Sequence, residues 1–211
     1  LNVKKEVKPS AERANPFSQD KNKKYLTESV FLLGNGSSRK DFDLERLRPY
    51  GTILGCNAIF RDFAPDILLG IDAKMLREIK DAGFTSEDRM CIIPKSRGVA
   101  VPHAYKWMAE KFNTTGCFGM HVIGKLMEAK YCYMLGMDNF AGNIYVNTPN
   151  YSVNMQQNFG GIGQYYLKAL KANLDTQYIN VNIKDSWEQE AHIVGNYRYI
   201  TYNEFEEILN Y

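Results

Sequence analysis

The chain has 211 residues, 45% hydrophobic and 13% aromatic, with 26 Lys/Arg against 24 Asp/Glu and a formal charge of +2. This length fits one α/β domain or a domain with a tail, and the apolar content is enough for a core, which excludes general disorder. No apolar run approaches the ~20 residues of a membrane-spanning helix, and the first residues lack the apolar stretch of a secretory signal, so a cytoplasmic protein without a membrane span is expected. The four cysteines, Cys56, Cys91, Cys117 and Cys132, form no C-x-x-C pair. They read as small buried residues of a reducing compartment rather than as zinc ligands or disulfides.

The charge is unevenly spread. Residues 1–30 carry seven Lys/Arg against four Asp/Glu, and the remainder carries 19 against 20. Residues 1–28 therefore read as a polar basic leader, flexible or packed on a partner, and residues 29–211 as a single domain. Mixed signs in a short leader do not make a nucleic-acid footprint, so a nucleic-acid partner is not expected.

Val30–Leu33 has the length and composition of a buried strand. It ends in Gly34-Asn35-Gly36-Ser37-Ser38, a turn whose glycines would let backbone N–H groups converge on an anion. Lys40–Arg48 is a short helix candidate stopped by Pro49 and Gly51. A second apolar run, Thr52–Gly55, ends at Cys56-Asn57, with a turn of helix expected over 58–63. A third run, Ile67–Ile71, ends at Asp72. Three runs ending in polar residues predict parallel strands whose carboxyl ends share a crevice, where open α/β sheets bind ligands.

Lys74–Ala82 reads as a helix ending at Gly83, and Met90–Ile93 as a strand stopped by Pro94. Residues 95–103 form a basic loop, and Ala104–Phe112 is amphipathic, with Tyr105, Met108 and Phe112 at helical spacing. Thr114-Thr115-Gly116 opens a helix over Cys117–Ala129, which offers a cap, two hydroxyls and free first-turn N–H groups to an anion. A strand, Lys130–Leu135, closes at Gly136–Phe140. Residues 139–161 are polar and aromatic without periodicity, and a loop of that length in a compact domain is predicted to be a lid. Ile162–Leu174 reads as a helix, Tyr178–Val181 as a strand, and Glu204–Asn210 as a terminal acidic helix. No internal repeat is present.

Five blocks in order, Gly34–Ser38, Asp41–Leu44, Cys56-Asn57, Thr114–Gly116 and Gly136–Phe140, resemble the bacterial sialyltransferases that act on lipooligosaccharide. They also resemble a wider group similar to archaeal 6-hydroxymethylpterin diphosphokinase. The blocks lie within residues 29–182. The resemblance implies a Rossmann-like, mostly parallel sheet with helices on both faces, forming a single nucleotide-binding domain with a lid. It implies nucleotide contacts at Gly34, Asn35, Gly36, Ser37, Asn57, Thr114, Thr115 and Gly116. Two lid tyrosines hold the leaving phosphate in the sialyltransferases; the matching positions here are Phe140 and Tyr145.

The family's catalytic histidine has no counterpart in Phe159–Gln164. His103 and His192 are the remaining candidates for a base, and His121, inside the Thr115-led helix, reads as core. A general base contributes ~10²–10⁴-fold, so three readings stay open. The first is a glycosyltransferase-like protein using a nucleotide-sugar donor such as a CMP-sugar, an acceptor not identified by the sequence, and no metal or other cofactor. The second is a pterin-type diphosphokinase using ATP, with Asp72 and Asp138 holding Mg²⁺. The third is a nucleotide-binding or structural subunit without chemistry. The sequence is compatible with an oligomer in each case.

Overall fold

The computed structural model describes residues 15–96, 98–107, 112–138, 142–152, 162–181 and 188–210, apart from the side chains of residues 162 and 188–190. Eight strands form one sheet: β1 (Ser29–Leu33), β2 (Thr52–Cys56), β3 (Ile67–Leu69), β4 (Met90–Pro94), β5 (Tyr105–Trp107), β6 (Tyr131–Leu135), β7 (Gln177–Val181) and β8 (Tyr197–Ile200). Their spatial order is β5-β4-β3-β2-β1-β6-β7-β8, and every pairing is parallel. The fold is a Rossmann-like α/β domain. The chain starts at the centre, winds outward through β5, then returns to the other side of β1 and winds outward again. The reversal lies between β1 and β6, and a crevice opens at such a switch point outside the strands' carboxyl ends.

The strands read as near-continuous apolar runs because both faces of the sheet are covered. Side chains alternate along β1: Val30 and Leu32 join one core cluster, Phe31 and Leu33 the other. On the first face lie α2 (Thr115–Val122), α3 (Ile162–Ala172) and, through Ala191, α4 (Glu188–Val194). On the second lie α1 (Ala73–Asp81), through Met75, Leu76 and Ile79, and α5 (Tyr202–Leu209), through Phe205 and Leu209. Every residue of α2 is buried, which explains why that helix carries no acidic, lysine or arginine side chain.

Several elements differ from the sequence reading. Lys40–Arg48 does not form an α-helix. Two 3₁₀ turns, Ser37–Arg39 and Leu44–Leu47, replace it, and the Asp43 carboxylate fixes the second by accepting the Glu45 N–H at 3.1 Å. Within Ala104–Phe112, Tyr105–Trp107 is the edge strand β5 rather than helix; residues 108–111 lie outside the described set. The helix over Cys117–Ala129 changes to a π-helical turn at Ile123–Met127. The sequence reading did not anticipate β8 or α4. Residues 15–28, assigned to the leader, pack into the body: Phe17 and Tyr25 are buried, and the Asn15 side-chain amide donates to Leu126 O at 3.0 Å.

Candidate functional site

At the carboxyl ends of β1, β2, β3 and β6 lies a cavity of about 640 Å³. Its wall includes Gly34, Asn35, Gly36, Asn57, Asp72, Thr114, Thr115, Gly116 and Asp138. The fold thus gathers motif residues from four separate strand ends and one helix. Ser37 does not line the cavity; it belongs to the turn behind it, and its N–H donates to Gly142 O at 3.3 Å.

The turns after β1 and β6 pack directly on each other. The Gly34 N–H donates to Leu135 O and the Gly36 N–H to Gly136 O, both at 2.8 Å. A Cβ on Gly34 would lie 2.2 Å from Gly136 O, and one on Gly36 2.3 Å from the Asp138 carboxyl carbon. The glycines are therefore required by the approach of two turns, and their amides are not gathered into an anion nest. The Ser38 N–H is also committed, to Asp138 Oδ2 at 2.6 Å; the Ser37 hydroxyl reaches the same oxygen at 3.4 Å, and the Ser38 hydroxyl bonds Oδ1. Three donors on one carboxylate hold Asp138 as a clamp on the Ser37-Ser38 turn and occupy most of its lone pairs. Among the described residues no cluster of three or more His, Cys, Asp or Glu forms a metal site.

The groups in the cavity that suit an anion are helix ends. Thr114 caps α2, its Oγ1 accepting from the Cys117 N–H at 3.1 Å and its carbonyl from the Phe118 N–H at 3.2 Å. Thr115 and Gly116, whose first-turn N–H groups have no intrahelical acceptor, line the cavity. The Thr115 hydroxyl donates to Asn57 Oδ1 at 2.9 Å. Asn57 sits at φ +54°, a left-handed conformation that asparagine accepts more readily than most residues. The amino end of α1 also contributes Ala73, Lys74 and Met75 to the cavity, and Asp72 at its N-cap position makes no side-chain capping bond.

Asn35 is 9% exposed; its Oδ1 is buried without a partner among the described residues, while its Nδ2 donates to the Tyr151 hydroxyl at 3.0 Å. A buried unsatisfied carbonyl costs about 1–3 kcal/mol, and Asn35 as a residue lines the cavity.

Tyr145 lies elsewhere. Its ring is buried and its hydroxyl donates to Asp62 Oδ1 at 2.5 Å, with Arg39 Nη2 at 3.5 Å. Burial, reinforced by the Asp62 bond, pushes its pKa up to about 12. The tyrosines lining the cavity are Tyr151 and Tyr166. Tyr166 Oη lies 2.8 Å from where a Cβ on residue 116 would stand, so a larger residue there would have to displace that hydroxyl. No sequence signal marked Tyr166, and Tyr151 was legible only as part of the lid; their roles depend on contacts across the fold, Asn35 and Tyr151 being 116 residues apart. Phe140 lies outside the described residues.

None of the three histidines lines the cavity. His103 is exposed in the loop before β5 with φ +55°. His192 is exposed on α4, edge-on to Tyr197 at 5.5 Å. His121 is buried, with its Nδ1 3.3 Å from the Asn173 amide nitrogen. The cavity thiol of Cys56 is pushed up to about 12 by burial, so it is no nucleophile at neutral pH.

The described part of the segment expected to form a lid, residues 142–152, is tied down. Arg61 forms a two-point pair with Glu78 of α1 (2.6 and 2.8 Å) and donates to Thr148 Oγ1 (2.6 Å) and Pro149 O (2.8 Å). Asn150 Nδ2 reaches the same Glu78 carboxylate at 2.6 Å. Comparison of the chain with protein-family models, curated proteins and solved structures gave no match.

Proposed function

We propose that the cavity holds a nucleotide-sugar donor and that the protein is a sialyltransferase-like glycosyltransferase, with a CMP-sugar as the first donor to test. The observation that supports this most is the convergence, in one cavity at the switch point, of the Thr114–Gly116 helix end with Asn35 and Asn57. The helix end suits a phosphate and side-chain amides suit neutral hydrogen-bonding groups, as in a nucleoside phosphate. Transfer would join an acceptor hydroxyl's oxygen to the sugar's anomeric carbon while the bond to phosphate breaks, the hydroxyl proton passing to solvent or to the released phosphate. The new negative charge on the nucleotide would fall at the α2 amino end.

Two observations bear on the alternatives. Commitment of Asp138 to Ser37 and Ser38 argues against the Mg²⁺-dependent diphosphokinase reading. The absence of a histidine from the cavity favours, as the second reading, a protein that binds a nucleotide without transferring anything. Incubation with CMP- and UDP-sugars, following release of free nucleotide, separates these. Release that Thr115→Val suppresses at least tenfold supports transfer; nucleotide binding without release supports the second reading; neither binding nor release removes both.

A further inference from the structure

Among the described residues Arg39 is the one Lys, Arg, Asp or Glu that is buried, with 4% of its surface exposed. A buried charge is costly unless it is paired, and Arg46, Arg48 and Arg61, all more exposed, each meet a glutamate. Arg39 does not: no carboxylate oxygen of the described residues lies within 4.0 Å of its guanidinium. Its Nε–H donates to Gly34 O, and its Nη2 lies 3.5 Å from the Tyr145 hydroxyl, both uncharged acceptors. Asp62 is reached only through that hydroxyl, which donates to Asp62 Oδ1 at 2.5 Å. Asp138 commits its carboxylate to Ser37 and Ser38.

The guanidinium stands directly behind the cavity wall. Gly34, whose carbonyl it holds, lines the cavity, and so does Gly136, where a Cβ would lie 2.8 Å from the Arg39 Cγ and Cδ. The charge is felt on the wall itself: burial raises the Cys56 thiol, and Arg39 works against that rise.

From this arrangement we infer that Arg39 is the cation that makes the cavity select an anionic ligand, acting through the Gly34–Gly136 layer of backbone without touching that ligand. The inference rests on the nucleotide reading of the cavity and names a residue that sets its charge specificity. A guanidinium does not lose its proton in a protein, and in a medium of low dielectric constant its field is screened less than that of a surface charge. A phosphate in the cavity supplies the counter-charge that the fold omits, whereas a neutral ligand gains nothing from it.

The test is titration calorimetry of the intact protein and of Arg39→Met with CMP, UMP, AMP and GMP and with the matching nucleosides, which keep base and ribose and lack the charge. Arg39→Met is expected to lower the nucleotide-to-nucleoside affinity ratio roughly tenfold, the order one charge exerts through a layer of protein, and to leave nucleoside affinity nearly unchanged. Arg39→Lys, which keeps the charge and loses the planar fork, should keep most of the ratio. Nucleotide and nucleoside affinities that fall together in Arg39→Met, or that both stay level, would overturn the inference and leave the nucleotide reading intact. An Arg39→Lys protein that loses the ratio as Arg39→Met does would overturn it too, by assigning the effect to the bond with Gly34 O. Should Arg39→Met fail to fold, Asp62→Asn decides: removing the acid that opposes Arg39 through Tyr145 is expected to raise the ratio, and a level or lower ratio overturns the inference. If no nucleotide binds to the unaltered protein, the nucleotide reading falls first and the inference with it.

Discussion

Asn35 carries a conflict between stability and binding within one side chain. Its Nδ2 gains a bond to Tyr151, and its Oδ1 lacks a described partner in a buried position. The first contributes about 0.5–1.5 kcal/mol and the second costs about 1–3 kcal/mol. Asn35→Leu, similar in size and without polar atoms, removes both terms but takes from the Tyr151 hydroxyl the donor it has at 3.0 Å, so gain and loss roughly offset. It is expected to move the urea midpoint little while lowering nucleotide affinity at least tenfold. Asn35→Leu combined with Tyr151→Phe, which removes both partners, should be no less stable than the unaltered protein, and a large loss in that double variant would show that Oδ1 already has a partner in the free protein. Thr115 makes the complementary case. Its hydroxyl holds Asn57 Oδ1 at 2.9 Å, so Thr115→Val leaves a polar group at a half-buried site. A destabilisation of about 1–2 kcal/mol is expected in urea denaturation, together with weaker nucleotide binding. At this scale the sequence was informative about which residues gather and less so about what they do. Gly34 and Gly36 were legible as necessary glycines, but the reason, two turns in contact at Gly136 and Asp138, involves residues a hundred positions away.

At the scale of elements, the lid is the part whose behaviour the structure changes most. Its length and polarity suggested a loop free to close over a ligand. The described portion, residues 142–152, is instead joined to α1 and the turn after β2 through Arg61, Glu78, Thr148, Pro149 and Asn150. Arg61 and Glu78 have side chains 20% and 24% exposed, so the pair is only partly screened, and a planar two-point guanidinium contact is not reproduced by lysine. Limited proteolysis should therefore cut slowly within 142–152 without nucleotide, and Arg61→Lys should speed cutting there several-fold. Equal rates in the two proteins would show that the network does not hold the segment. Strand and helix legibility followed burial. The central strands were readable because a parallel sheet covered on both faces makes unbroken apolar runs. β5 was missed because Tyr105, Lys106 and Trp107 are edge residues of intermediate exposure, where helical spacing of Tyr105, Met108 and Phe112 competed with a three-residue strand.

For the molecule as a whole, burial of the cysteines sets an alkaline limit. Cys56, Cys91 and Cys117 are each pushed up to about 12 by burial, whereas in the unfolded chain they ionise near pH 9. Between those values the folded protein holds more protons than the unfolded one, so stability falls as pH rises. Each thiol costs about 1.4 kcal/mol per pH unit above the unfolded value. The urea midpoint should be level from pH 7 to 8.5 and drop clearly by pH 10; an unchanged midpoint at pH 10 would show that the thiols are not so deeply held. The switch-point topology was legible in outline, because three apolar runs ending in Gly34-Asn35, Cys56-Asn57 and Asp72 imply parallel strands with a common end. The placement of β6 beside β1, which creates the crevice, depends on a return crossing that no local pattern encodes. On the proposed reading, this crevice takes a nucleotide on protein groups alone, without a cation. Titration of CMP, UDP, GDP and ATP into the protein in EDTA and again in Mg²⁺, with Thr115→Val alongside, decides this. At least one nucleotide is expected to bind in EDTA, Mg²⁺ to change its affinity less than tenfold (~1.4 kcal/mol), and Thr115→Val to weaken it. Binding that appears only with Mg²⁺ and disappears in Asp138→Asn, or no binding under either condition, would contradict that reading.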